Sequence, residues 1–102
     1  MESNTEMVSF GIIANAGDAH TLAFNALQKA KVGNIDEAEE LLKKSDDAIN
    51  LAHKSQTELL FKEANGEKTA IDVLLIHAQD HLMTSMIAIE LIKEIILLYK
   101  RK

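Results

Sequence analysis

The sequence predicts an all-α protein, an up-down-up antiparallel three-helix bundle, as a single domain over residues 1–102. Three observations lead there. The 102 residues include four glycines and no proline, the two residues that punctuate regular structure, so long helices are expected. Gly33-Asn34 and Asn65-Gly66 are two clear breaks that divide the chain into three segments of similar length. Within each segment, apolar residues recur three and four positions apart, the spacing of one helix face. The expected helices cover about 4–32, 35–64 and 70–100. Each would be roughly 45 Å long at 1.5 Å per residue, and short connections favour antiparallel neighbours.

The first helix carries Met7, Phe10, Ile13, Ala14, Ala19, Ala23, Ala26, Leu27 and Ala30 as its apolar positions. Gly11 and Gly17 weaken it by about 1 kcal/mol each relative to alanine. The small residues Ala14, Ala16, Gly17 and Ala19 allow a neighbouring helix to come close, while Asn15, Asp18, His20 and Thr21 interrupt the apolar surface. Gly33 suits a left-handed C-terminal cap. Asn34 suits the N-cap of the second helix, with Glu37 three residues on as in a capping box. Asp36, Glu37, Glu39 and Glu40 fill the first turns, where the helix dipole favours negative charge. The second apolar stripe is Ile35, Ala38, Leu41, Leu42, Ala48, Ile49, Ala52, Leu59 and Leu60; Asn50, His53, Gln56 and Thr57 share a polar face. After Asn65-Gly66, Thr69 with Asp72 resembles a capping box that would start the third helix at about residue 70.

The third helix is too apolar for a lone bundle. Val73, Ile76, Met83, Ile87 and Leu91 mark one side; Leu75, Ala78, Leu82, Met86, Ile89 and Ile96 mark another. A helix in such a bundle needs one apolar stripe, so the extra face predicts packing against copies of the same chain in a closed symmetric oligomer. Asp80 lies on the Val73–Ile87 side. Several Asp80 carboxylates converging on a symmetry axis would repel, and a hard, oxygen-seeking divalent cation such as Mg²⁺ would fit among them.

Composition excludes several classes. Net charge is −5 and the only arginine is Arg101, unlike the basic, arginine-bearing face of a nucleic-acid binder. There is no cysteine, hence no disulfide, thiolate metal site or cysteine nucleophile. No apolar run approaches the roughly 20 residues that span a bilayer, and Met1-Glu2-Ser3-Asn4 lacks the basic start of a signal peptide. A cytoplasmic, soluble protein is expected.

The chemistry-bearing residues gather in the third helix. His77, Asp80 and His81 stand three and four residues apart, on one side of a helix. A carboxylate and two imidazoles among Leu, Ile and Met are costly unless paired or used. His77 reads either as a histidine satisfied by hydrogen bonds or as a nucleophile. His77 and His81 could also chelate a metal, with Asp80, although Ala78 stands where the H-E-x-x-H protease pattern needs glutamate. A third reading is a non-catalytic oligomeric helical interaction module whose polar group fixes register. His53 and Gln56 gain meaning only if the second helix faces His77 in its own or an adjacent subunit. Met83 and Met86 read as packing residues.

The run His77-Ala78-Gln79-Asp80-His81-Leu82-Met83-Thr84-Ser85-Met86 resembles one family closely: the enzyme IIA component of the lactose/cellobiose (N,N′-diacetylchitobiose) class of the bacterial sugar phosphotransferase system. Gly11, Asn15, Gly17 and Leu22-Ala23 resemble its first-helix pattern; Asn50, Ala52-His53 and Gln56-Thr57 resemble its second. His20 departs from it, standing where an arginine is expected. The resemblance implies a homotrimer in which His77 accepts phosphate from the phosphocarrier HPr and passes it to a cysteine of the IIB component, which serves the membrane IIC permease. It also implies that Asp80, one per subunit, meets a metal ion on the threefold axis. His81, Gln56, His53 and Thr84 are then the candidates to hold the phosphoryl oxygens.

Overall fold

A computed structural model describes residues 3–101, and these form three helices: α1 (Ser3–Lys31), α2 (Ile35–Ala64) and α3 (Val73–Lys100). Cross-helix pairs fix the direction of each. Ser45 Oγ donates to the Ala19 carbonyl at 2.7 Å and Lys29 pairs with Glu37 at 3.6 Å, so rising numbers in α1 meet falling numbers in α2. Lys100 meets Glu39 at 2.6 Å, Lys93 meets Asp46 at 2.8 Å, and Gln56 meets Gln79, so α2 and α3 are antiparallel as well. The bundle measures 52 × 21 × 18 Å.

Both breaks work as the glycines demand. Gly33 (φ +89°) and Gly66 (φ +91°) take the left-handed conformation. At the first, Asn34 N–H reaches the Lys29 carbonyl and Gly33 N–H the Ala30 carbonyl; at the second, Glu67 N–H reaches Lys62 and Gly66 N–H reaches Glu63. These paired bonds are the Schellman closure of a helix end, and they satisfy carbonyls that would otherwise be orphaned. Two cap expectations need correction. The Asn34 side chain makes no cap hydrogen bond, so no capping box forms there. The third helix begins at Val73 and not at residue 70, because Asp72, not Thr69, is its N-cap: the Asp72 carboxylate accepts from Leu75 N–H at 2.8 Å.

α1 is the centre of the bundle. Its buried positions run Ser9, Ile12, Ala16, Ala19, Ala23, Ala26, Ala30, a strict three-four alternation of mostly small side chains. α1 packs closely against both other helices, whereas the backbones of α2 and α3 stand further apart. Met7, Phe10 and Ala14, expected on the apolar face, lie outward or at its edge. From α2 the core takes Ala38, Ser45, Ile49 and Ala52; from α3 it takes Leu75, Ala78, Leu82, Ser85, Ile89, Ile92 and Ile96. The hydroxyls of Ser9 and Ser85 are buried without a partner among the described residues.

Side chains tie α2 to α3 where their backbones do not. Lys93 bridges to Asp46 and, at 3.7 Å, to Glu90. The hydrogen bond that Lys93 donates to Asp46 holds its ammonium above the ordinary pKa of 10.5, against the opposing effect of partial burial and with help from the Asp46 and Glu90 charges.

α3 keeps a second apolar face outside the bundle. Val73, Ile76, Met83, Ile87, Leu91, Ile95 and Leu98 are all exposed, at spacings that continue through Asp80 as three, four, three, four, four, four, three. No helix among the described residues is long and apolar enough to cross a membrane.

Candidate functional site

Helix α3 builds the site from its own repeat. Ala78 and Leu82 are fully buried against the core, and they fix the roll of the helix. Their neighbours in sequence, His77 and His81, are thereby turned toward the surface, with Asp80 beside them. His77 Nδ1 lies 3.4 Å from Asp80 Oδ1. In the single chain the two side chains are 58% and 66% exposed. The rings of His77 and His81 are stacked, 5.8 Å apart and tilted by 14°. His81 is half-buried, and its Nε2 lies against α1 at Gly17, 3.5 Å from where a Cβ would stand.

The carboxylate–imidazole contact has a chemical meaning. A carboxylate opposite Nδ1 favours the tautomer that carries its proton there. Nε2 then keeps a free lone pair, the arrangement a nucleophilic imidazole needs.

Other candidates stand elsewhere. Gln56 donates its amide to Gln79 Oε1 and lies 3.7 Å from Met83 Sδ, so it ties α2 to α3 and makes no hydrogen bond to His77. His53 is exposed on α2, and no hydrogen bond, ion pair or ring contact joins it to the histidine pair among the described residues. Thr84 donates to the carbonyls of Asp80 (2.8 Å) and His81 (3.3 Å) in its own helix. His20 packs on Phe24, one turn along α1, with ring centres 4.6 Å apart. Asn15, Asp18 and Thr21 line a groove between α1 and α2 together with Lys44 and Asp47.

Metal binding within one chain is not supported by the donor geometry. Among the described residues no group of three or more His, Asp or Glu side chains is placed to hold an ion. One chain supplies a single exposed carboxylate, Asp80, in the middle of the outward apolar stripe. Gly17, which stands beside the His81 ring, was visible in the sequence as a weak point of the first helix, as one of its small residues and as part of its family-like pattern, with nothing to link it to His81.

Comparison with known proteins adds the family. Residues 7–100 match the family described as "PTS system, Lactose/Cellobiose specific IIA subunit". The lactose-specific EIIA component of Streptococcus mutans is 48% identical over 95 residues, covering 93% of this chain and 91% of the relative. The crystal structure of the cellobiose-specific enzyme IIA from Bacillus anthracis superposes with a TM-score of 0.92 at 52% identity, covering 95% of this chain and 89% of that one. A solution structure of the IIA(chitobiose)–HPr complex of the Escherichia coli N,N′-diacetylchitobiose branch gives 0.82 at 43% identity, covering 95% and 94%. With the helical fold and residues 7–100 in agreement, the chain belongs to the lactose/cellobiose-specific IIA subunit family of the phosphotransferase system.

Proposed function

We propose that the chain is a cytoplasmic phosphohistidine carrier in which His77 accepts a phosphoryl group from phospho-HPr and passes it to a cysteine of the cognate IIB component. The sugar moved by the partner IIC permease would be a β-linked disaccharide of the lactose, cellobiose or chitobiose type, each of which appears in the name of a relative. The single observation that carries this is the exposed His77 imidazole with Asp80 Oδ1 facing its Nδ1. The likeness to a IIA structure solved with HPr supports the choice of donor.

The transfer balances simply. Asp80 holds the proton on Nδ1. The Nε2 lone pair of His77 attacks phosphorus, the N–P bond of the donor phosphohistidine breaks, and its electron pair returns to the donor imidazole. In the onward step a cysteine thiolate of IIB attacks the same phosphorus, and the electron pair of the His77 N–P bond returns to Nε2. Such reactions need positioning and charge stabilisation more than covalent help. In the chain itself His81 is the group beside His77 that offers N–H donors to the phosphoryl oxygens. Gln56 and Thr84 already have other partners, and His53 would act only from an adjacent subunit.

A homotrimer is part of the same proposal. The outward stripe of α3 would pack around a threefold axis and bring three Asp80 carboxylates together. Carboxylate oxygens suit a hard divalent cation such as Mg²⁺, and the convergent Asp80 side chains would hold it. Bound there, the ion would neutralise like charges in the assembly.

Incubation with phosphoenolpyruvate, enzyme I and HPr, followed by intact-mass measurement, tests the carrier role. One added phosphoryl group, labile in acid, stable in base and absent in His77→Ala, is expected. No added mass while HPr itself is phosphorylated would refute it and leave an interaction module whose polar residues set register.

A further inference from the structure

We infer that Gly17 is a positioning residue for the transfer at His77, acting through His81: with no side chain reaching beyond Cβ at position 17, the seat in which the His81 imidazole rests beside α1 stays open. The inference rests on the phosphohistidine carrier proposed above.

Gly17 lies in the middle of α1, where glycine costs about 1 kcal/mol relative to alanine. Backbone freedom does not account for it, since Gly33 and Gly66 alone among the described glycines have positive φ. Space sets a limit on the size of the residue there. A Cβ built on Gly11 meets nothing within 4 Å, whereas one built on Gly17 meets a single atom, Nε2 of His81, at 3.5 Å. An alanine would just touch the ring. The γ atoms of a larger side chain would enter the space the ring occupies.

His81 is unusually dependent on that seat. No hydrogen bond to either of its ring nitrogens occurs among the described residues. Packing therefore sets its orientation, and its neighbours include α1 at Gly17 and the stacked ring of His77. When His77 carries a phosphoryl group, the angle of the neighbouring His81 ring decides whether its N–H reaches a phosphoryl oxygen. A side chain at position 17 changes that angle without touching His77.

The test is a double-mutant cycle read by the initial rate of phosphoryl transfer from phospho-HPr to His77. Gly17→Ser and Gly17→Val should slow transfer in order of size. The valine variant should lose about ten- to a hundredfold, within the range that a misplacement of about 1 Å costs. In a His81→Ala background Gly17→Val should cost nothing further, because the ring it displaces is gone. A disturbance of the fold alone would persist in that background. If Gly17→Val does not fold by circular dichroism, the cycle is run with Gly17→Ser, with a smaller loss that His81→Ala likewise abolishes. Equal losses in both backgrounds, or full rates in the folded Gly17 variants, would overturn the inference while His77 remains a carrier. Wild-type protein that takes up no phosphoryl group at His77 would instead remove the carrier, and the inference with it.

Discussion

Replacing Ile87 with lysine should dissolve the assembly and leave the subunit folded. Ile87 is 61% exposed and lies in the outward stripe of α3, one helical turn beyond Met83 and one before Leu91. Burying a whole isoleucine side chain stabilises by roughly 1.5–3 kcal/mol. About three-fifths of that remains to be gained on association, or about 1–2 kcal/mol per copy. Three copies around an axis would supply about 3–5 kcal/mol, which is two to three and a half powers of ten in the association constant at about 1.4 kcal/mol per tenfold. Lysine forfeits this and places three ammonium groups beside one another, so the shift should be larger still. Sedimentation velocity across a dilution series reads the oligomer, and far-ultraviolet circular dichroism reads the fold. The wild type should sediment as a trimer where Ile87→Lys sediments as a helical monomer. A variant that keeps the wild-type oligomer at every dilution would refute the assignment of this stripe to the assembly. Loss of helix in the variant would show that Ile87 belongs to the subunit core.

Asp80→Asn should slow phosphoryl acceptance at His77 by weakening the hold on the Nδ1 proton, and should make the oligomer's thermal stability indifferent to chelators; unchanged transfer and a wild-type response to chelator would refute both roles. Asp72→Ala removes the carboxylate that caps α3 at Leu75 N–H, and should cost about 1 kcal/mol in guanidinium unfolding at fixed protein concentration. Ser85→Ala deletes a buried hydroxyl that has no partner and should stabilise by up to about 1 kcal/mol; a clear loss would show that the hydroxyl is satisfied by a bond absent from the described residues. The Lys93–Asp46 bridge has a pKa raised in the folded state, so its contribution is complete below pH 10.5 and is lost as the pH climbs through the raised value. The pair is partly solvated, so the stability gap between wild type and Lys93→Met should be below about 1 kcal/mol, constant from pH 7 to 9, and closed at higher pH. A gap that changes between pH 7 and 9 would assign the effect to another group.

Legibility in the sequence followed side-chain size and helical repeat. The glycine breaks declared themselves because both glycines adopt a conformation that other residues avoid. The two faces of α3 were plain because large aliphatic residues contrast with Asp80, Glu90 and Lys93. The neighbourhood of His77, Asp80 and His81 needed only the three-four spacing. α1 was harder. Ala19, Ala23, Ala26 and Ala30 were read onto the buried face, but in its N-terminal half Ser9, Ile12 and Ala16 are buried while Met7 and Phe10 face outward, so apolar size misled there. At the start of α3, Thr69 and Asp72 were both chemically able to cap, and only the bond to Leu75 N–H chose between them. Gln56 and His53 share a face of α2, but which α3 residues oppose that face depends on helix crossing, which no local pattern encodes. The close approach of His81 to Gly17 joins residues 64 positions apart and lay beyond reach for the same reason.

The order of the helices along the chain also bears on how the protein is made. Synthesis delivers α1 and α2 first, and their alanine seam can close into a hairpin from contacts that are near in sequence. The stickiest helix arrives last. When α3 leaves the ribosome its inner face finds a template already waiting, and only the stripe from Val73 to Leu98 is left searching for company. While it stays uncovered, that stripe is a natural target for chaperones and a hazard at high expression. Under the trimer proposed above, yield in the cell should depend on how quickly subunits meet as well as on how well each one folds.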